Sequence, residues 1–150
     1  MRLWHKDLIH VLPRKQLVSQ WRECCAIAAN LAKNDTPNHI LVNKILDYPI
    51  TDFISYTKLV TDEMKNRNYK VSTLSSQNFI SNILIYNKRH KMDIKLFTVP
   101  QKTKVIFYKW HTPRYLIQCL YNLQEKHDCG GITEEEWRLL KKLSQTKIDD

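Results

Sequence analysis

Glycine is almost missing from this chain: the two that exist are the adjacent pair Gly130-Gly131. That excludes the Gly-rich loops that cradle nucleotide phosphates, and the G-x-S-x-G nucleophile elbow. The 5 prolines are scattered, so no low-complexity linker or collagen-like repeat is present. Cys24, Cys25, Cys119 and Cys129 contain no C-x-x-C pair, and adjacent Cys24-Cys25 does not supply zinc-finger spacing. Reduced, partly buried thiols are the expectation. The six histidines, His5, His10, His39, His90, His111 and His127, show no helical metal spacing and no H-E-x-x-H. No stretch approaches the ~20 apolar residues of a membrane span. The start, Met1 to Asp7, has no apolar signal core behind its charge. A soluble protein of the cytosol, without membrane partners, is expected.

Acid is scarce relative to base: 24 Lys+Arg stand against 15 Asp+Glu, for a net charge of +9. Polyanions are the partner class that this favours. The excess is +3, +4 and +2 over successive fifties, which implies a folded basic face rather than a detachable arm. With 150 residues, 43% of them hydrophobic, the chain suits one domain with its own core.

The periodicity predicts a mainly α fold of five or six helices. From Pro13 to about Lys33, Leu17, Trp21, Cys24, Ala28 and Leu31 share one helical face. Lys15, Ser19, Arg22, Glu23, Ala26, Asn30 and Lys33 fall opposite. Thr36-Pro37 reads as a helix start, with a short helix to about Leu46. A third helix is expected from Ile50 to Asn68, burying Phe53, Tyr56, Leu59, Val60 and Met64. A fourth runs from Ser72 to about Asn87 with Leu74, Phe79, Ile83 and Leu84. Between 94 and 108 the β-prone runs Ile94–Val99 and Lys104–Tyr108 suggest a small hairpin or extended segment. Thr112-Pro113 opens another helix that ends before Gly130-Gly131. Thr133 and Glu136 form a capping box ahead of Trp137, Leu140 and Leu143.

Two constellations carry possible chemistry. On the polar face of the first long helix, Arg22-Glu23 lies beside Lys15, a short segment from the chain's own α-amine. An α-amine ordinarily titrates near ~7.7–8.0, against ~10.4 for lysine, so more of it is neutral and nucleophilic. A carboxylate held close can shuttle its proton, and an arginine can grip a phosphate. An ordinary solvated Arg-Glu pair fits the same residues. The second constellation is the stretch from Lys88 to Lys109. Lys88, Arg89, Lys91, Lys95, Lys102, Lys104 and Lys109 face one acid, Asp93, with Phe97, Phe107, Tyr108 and Trp110 interleaved. Cations with stacking aromatics suit distorted nucleic acid; a strand pair with inward aromatics suits them as well. His5 and His10 lie near the amine in sequence and can serve it.

The run Gln16-Leu-Val-Ser-Gln-Trp-Arg-Glu-Cys-Cys25 behind a very short lead, with Arg2 near the amino terminus, resembles the pyrimidine-dimer DNA glycosylase family, the bacteriophage endonuclease V-like enzymes. His39 and the helix carrying Tyr56, Lys58 and Leu59 match more loosely. The resemblance covers roughly residues 1–72; residues 73–150 read as a helical extension of the same domain, typical of a bacterial branch. It implies a glycosylase with coupled abasic-site lyase activity that needs no metal or cofactor. The α-amine, here that of Met1, attacks C1′ of a dimer nucleotide to form an imine, and Glu23 is the essential acid. Arg2 and Arg22 are implied phosphate contacts. Lys15, His39, Lys88, Arg89 and Lys91 complete the expected DNA-binding set. Double-stranded damaged DNA is the implied partner of a monomer in the bacterial cytosol or nucleoid. In the family a small residue follows the initiator Met; here Arg2 does, which leaves the amines of Met1 and Arg2 as alternatives. A non-catalytic nucleic-acid-binding protein on the same scaffold, or a module whose basic face binds an acidic protein, are the other readings.

Overall fold

The structure, a computed structural model, describes residues 1–92 and 105–148. Its framework is α1 (Arg14–Asn34), α2 (Ile50–Asn66), α3 (Thr73–Arg89), α4 (Pro113–Asp128) and α5 (Glu134–Ile148). Two 3-10 helices, Lys6–Val11 and Asn43–Asp47, precede α1 and α2. The mainly α expectation holds, and no strand occurs among the described residues.

Each helix starts where local chemistry lets it. Pro13 stands at the cap of α1, and its carbonyl accepts the Leu17 N–H at 2.9 Å. Ser72 and Thr112 cap α3 and α4 with their hydroxyls. The capping box of α5 is reciprocal: Glu136 N–H donates to Thr133 Oγ1 at 3.2 Å, and Thr133 N–H to Glu136 Oε2 at 3.0 Å. After α4, Gly130 takes φ 80, which closes the turn at no steric cost.

α1 is the central element and packs most extensively on α3, then α2. Its expected apolar face is buried. Phe79 of α3 joins the two contacts, its ring 6.0 Å from Trp21 and 5.8 Å from Phe53. One contiguous cluster of buried side chains runs from Leu3 through α1, α2 and α3 to Leu116, Cys119, Leu123, Ile132 and Leu140. Residues from both ends of the sequence thus share a core.

Several expectations are corrected. The helix predicted over 36–46 does not form. Thr36 Oγ1 accepts the Asn38 N–H at 3.1 Å in a local turn, Asn38 takes φ 60, and His39 N–H donates to Asn43 Oδ1 at 3.0 Å. These side-chain bonds compete with helical pairing, and only 43–47 turns as a 3-10 helix. Leu59, Leu74 and Leu84, expected inside, are exposed at the flanks of α2 and α3. Of the segment 94–108, residues 94–104 lie outside the described residues. Residues 106–110 form a turn rather than a strand. Phe107 takes φ 52, its carbonyl accepts from Trp110 and His111, and its N–H donates to buried Asp52 at 3.1 Å. The fully buried Phe107 ring holds the turn against the core.

Candidate active site at the chain start

Just before the first 3-10 helix, Leu3, Trp4 and His5 are almost inaccessible. Buried main-chain groups need partners, and distant side chains provide them. Tyr115 O–H donates to the Leu3 carbonyl at 2.6 Å. The Tyr56 hydroxyl lies 2.7 Å from the Trp4 carbonyl. Lys6 N–H donates to His111 Nδ1 at 2.9 Å. Arg67, at the end of α2, donates to the carbonyls of Ile9, His10 and Leu12 and pairs with Glu63 at 2.7 Å. The chain start is therefore fixed along α1 rather than left as a loose arm.

This fixing places the start against the polar face of α1. Arg2 N–H donates to Glu23 Oε2 at 3.2 Å, across 21 residues of sequence. Gln20, one turn before Glu23 and wholly buried, donates to the Arg2 carbonyl at 2.9 Å and to Glu23 Oε2 at 3.3 Å. Met1 is exposed, Arg2 and Glu23 half-buried, and Arg22 exposed beside them. The Arg2 guanidinium stacks 5.2 Å from the Trp4 ring centroid and faces the Tyr115 hydroxyl and the Cys119 thiol.

An aromatic box backs the start. The His111 ring lies 5.1 Å from His5, 5.1 Å from Phe107, 5.0 Å from Trp110 and 5.2 Å from Tyr115. Burial, with the His5 and Lys6 charges, pushes the His111 pKa down to about 2. Burial also lowers His5, against the pull of Asp7. His10 is exposed. Burial pushes the Cys24 thiol up, and Cys25 to about 11, so neither supplies a thiolate nucleophile at neutral pH.

The structure brings the Arg2 main-chain nitrogen onto Glu23, with Met1 one residue before it and Arg22 next to Glu23 on α1. Lys15 is exposed one stripe along α1, seven residues before Arg22, or about 10 Å along the axis at the helical rise. His39 lies apart in the 36–43 turn, its Nδ1 accepting the Leu41 N–H at 3.2 Å. Lys88 and Lys91 are exposed near the far end of α1. Arg89 is spent on structure: it reaches the Leu31 and Ala32 carbonyls and pairs with Asp35 at 2.6 Å. In the second constellation Phe107 and Trp110 are interior, while Tyr108 is exposed with the Lys109 ammonium 5.4 Å from its ring. Among the described residues no group of three or more His, Cys, Asp or Glu is placed to hold a metal, and no helix is long and apolar enough to cross a membrane.

The family model for pyrimidine dimer DNA glycosylases matches residues 1–77, just over half of the 150. The chain belongs to that family. No curated protein and no solved structure matches it. The matched span holds the chain start, α1, α2 and the first residues of α3, so it contains Arg2, Arg22, Glu23, Gln20 and Tyr56. It stops short of Tyr115 and His111, which complete the seat of the start.

Sequence reasoning missed Gln20, Tyr56 as a hydrogen-bonding group, Tyr115 and His111. Gln20 had a signal: it is a polar residue inside the apolar stripe of Leu17, Trp21 and Cys24. Tyr115 and His111 had none, because they meet the start across more than 100 residues.

Proposed function

We propose that the protein is a DNA-repair glycosylase with coupled abasic-site lyase activity on pyrimidine dimers or related lesions in double-stranded DNA, working as a monomer in the cytosol or nucleoid. The α-amine at the chain start is the nucleophile and Glu23 its proton acceptor. The observation that carries this reading is the 3.2 Å contact between the position-2 nitrogen and Glu23 Oε2, within the span that matches the family. In a chain beginning at Met1 the amine is one residue before that nitrogen. In a chain from which Met1 has been removed, the nitrogen on Glu23 is itself the amine.

The chemistry proceeds as follows. The amine lone pair attacks C1′ of the 5′ nucleotide of the dimer. The glycosidic bond breaks, and its electrons leave on the base, which takes a proton from water. Glu23 accepts one proton from the nitrogen and returns it to O4′ as the C1′–O4′ bond opens to the protonated imine. Loss of a C2′ proton then expels the phosphate from C3′ by β-elimination. Arg22 grips a flanking phosphate, and Arg2 grips the other once its guanidinium swings away from Trp4 and Tyr115. Lys15, Lys88, Lys91 and His39 add to the basic face. Bending of the duplex and extrusion of a nucleotide select damaged sites, where stacking is already weakened.

Borohydride trapping on ultraviolet-irradiated and on abasic duplex tests the reading, with the intact mass of the protein recorded beside it. A covalent adduct that disappears when the amine is blocked is the expected result. Absence of an adduct on both duplexes would leave the second reading, a damage-binding protein without chemistry. That reading is favoured by the fact that, in a chain retaining Met1, the nitrogen on Glu23 is a peptide amide.

A further inference from the structure

Resting on that reading, we infer that Gln20 is a positioning residue, which docks the chain start and aims Glu23 through a single amide. Its side chain makes four contacts. Oε1 accepts the Trp4 N–H at 2.8 Å and lies 2.9 Å from the Tyr56 hydroxyl; Nε2 donates to the Arg2 carbonyl at 2.9 Å and to Glu23 Oε2 at 3.3 Å.

The orientation of the amide is dictated by its partners. A main-chain N–H can only donate, so the atom facing Trp4 is the oxygen. A carbonyl can only accept, so the atom facing Arg2 is the nitrogen. Both edges are thereby assigned, and Gln20 cannot flip without placing like against like at both contacts. Helical geometry does the rest. Gln20 and Glu23 are three residues apart on α1 and so share a face. The amide that grips residues 2 and 4 of the incoming chain also fixes the carboxylate oxygen that receives the Arg2 N–H. Tyr56 of α2 pins the oxygen edge from the other side. The groups that sense the Glu23 charge from this wall are Tyr56 and Cys24, with the Arg2 N–H in front.

A glutamine here does what no other residue of its size can. Glutamate retains both acceptor contacts but loses the donor edge, and sets a second carboxylate against Glu23. Methionine keeps the volume and loses every bond.

The test uses the purified full-length chain, single-turnover borohydride trapping on abasic duplex across pH, and a thermal melt with a DNA-binding measurement for each variant. Gln20→Met is expected to bind damaged duplex within a small factor of the parent. Its trapping rate falls by roughly tenfold to a hundredfold, the scale of misplacing a reacting group by about 1 Å. Gln20→Glu is expected to move the pH–rate profile upward by about one unit, because two carboxylates in contact hold a proton longer than one. A purely structural role for Gln20 would lower the rate by one factor at every pH and leave the profile in place. A parent chain that is trapped, with both variants matching its rate and profile, overturns this inference alone. A parent chain that gives no adduct overturns the enzymatic reading and this inference with it.

Discussion

Arg2 and Glu23 are joined by a hydrogen bond from the main-chain nitrogen of one to Oε2 of the other, at 3.2 Å. The contact involves backbone rather than the Arg2 guanidinium, which is turned toward Trp4 and Tyr115. Glu23 therefore addresses a nitrogen at the chain start. Its partner on α1 is the neutral Gln20 amide, and among the described residues no cation of α1 forms an ion pair with it.

Replacing Glu23 with Gln keeps the shape and removes the proposed proton acceptor. Trapping and strand cleavage are expected to fall by about 10²-fold or more, the lower range for a lost general acid–base group. Binding to damaged duplex should survive. Normal turnover in this variant, in a single-turnover cleavage assay, would contradict the assigned role.

On the proposed DNA face, phosphate neutralisation by the exposed cations should set the salt dependence. If roughly five phosphates are engaged, binding to duplex should follow a log–log salt slope of about −4 to −5. Arg22 is exposed next to Glu23 and makes no ion pair among the described residues. Arg22→Ala should reduce the magnitude of that slope by about 1. Arg89→Ala should change the slope little, because its guanidinium is held by α1 carbonyls and Asp35. Fluorescence titrations at several salt concentrations distinguish the two variants, and equal slopes for Arg22→Ala and the parent would count against the proposed face.

Long amphipathic helices and their caps were legible because their signals are local. The α1 stripe from Leu17 to Leu31, the Ser72 and Thr112 caps and the Thr133–Glu136 box all follow from spacing within a few residues. Thr36-Pro37 misled because the same hydroxyl and proline serve a turn when Asn38 takes φ 60 and Asn43 offers an acceptor. The 3-10 helix over 6–11 carried no periodic pattern, since its bonds are capped by Arg67 from 55 or more residues away. The site divides in the same way. Glu23 and Arg22 were readable on a helix face, whereas the box that seats the start is assembled from residues 56, 111 and 115.

Arg67 closes the first 3-10 helix by donating to the Leu12 carbonyl at 2.7 Å while pairing with Glu63. Its side chain is only 21% exposed, so the carbonyls it serves have few substitute partners. Arg67→Ala should destabilise the protein by about 1.5–3 kcal/mol, the range for hydrogen bonds to a charged group. Arg67→Lys, which lacks the fork, should recover only part of this. Urea denaturation measures both; a loss under ~0.5 kcal/mol for Arg67→Ala would show that the start is held without it.

The family model ends at residue 77, but the core does not. A fragment of residues 1–77 would lack Phe79, which touches Trp21 and Phe53, and Tyr115 and His111, which satisfy Leu3 and Lys6. It should show no cooperative melt and give no trapped adduct, while the full chain melts sharply. A fragment with a cooperative transition would mean that the first half folds alone.

Acid should unfold the protein through the histidine box. His111 accepts the Lys6 N–H on Nδ1, so its ring proton sits on Nε2, which is buried without a hydrogen-bond partner among the described residues. Its pKa is about 2 in the folded chain and near ~6.5 when unfolded. Above ~6.5 both states are neutral and the full stability is present. As pH falls below that value the unfolded chain takes up a proton that the folded chain refuses, and stability declines until the folded value is reached. The loss amounts to about 1.4 kcal/mol per pH unit for each such histidine, and His5, also lowered by burial, acts in the same direction. Asp7 does not interfere: despite burial, Lys147, His5 and Lys6 hold its carboxyl below the ordinary range, beneath this window. Urea midpoints between pH 7 and pH 5 should therefore fall steadily. His111→Gln should reduce the slope by about one proton, leaving the share of His5. A parent whose stability is flat over this interval would show that His111 gains a proton in the folded state, and that the wall behind the chain start is wetter than the aromatic packing around it implies.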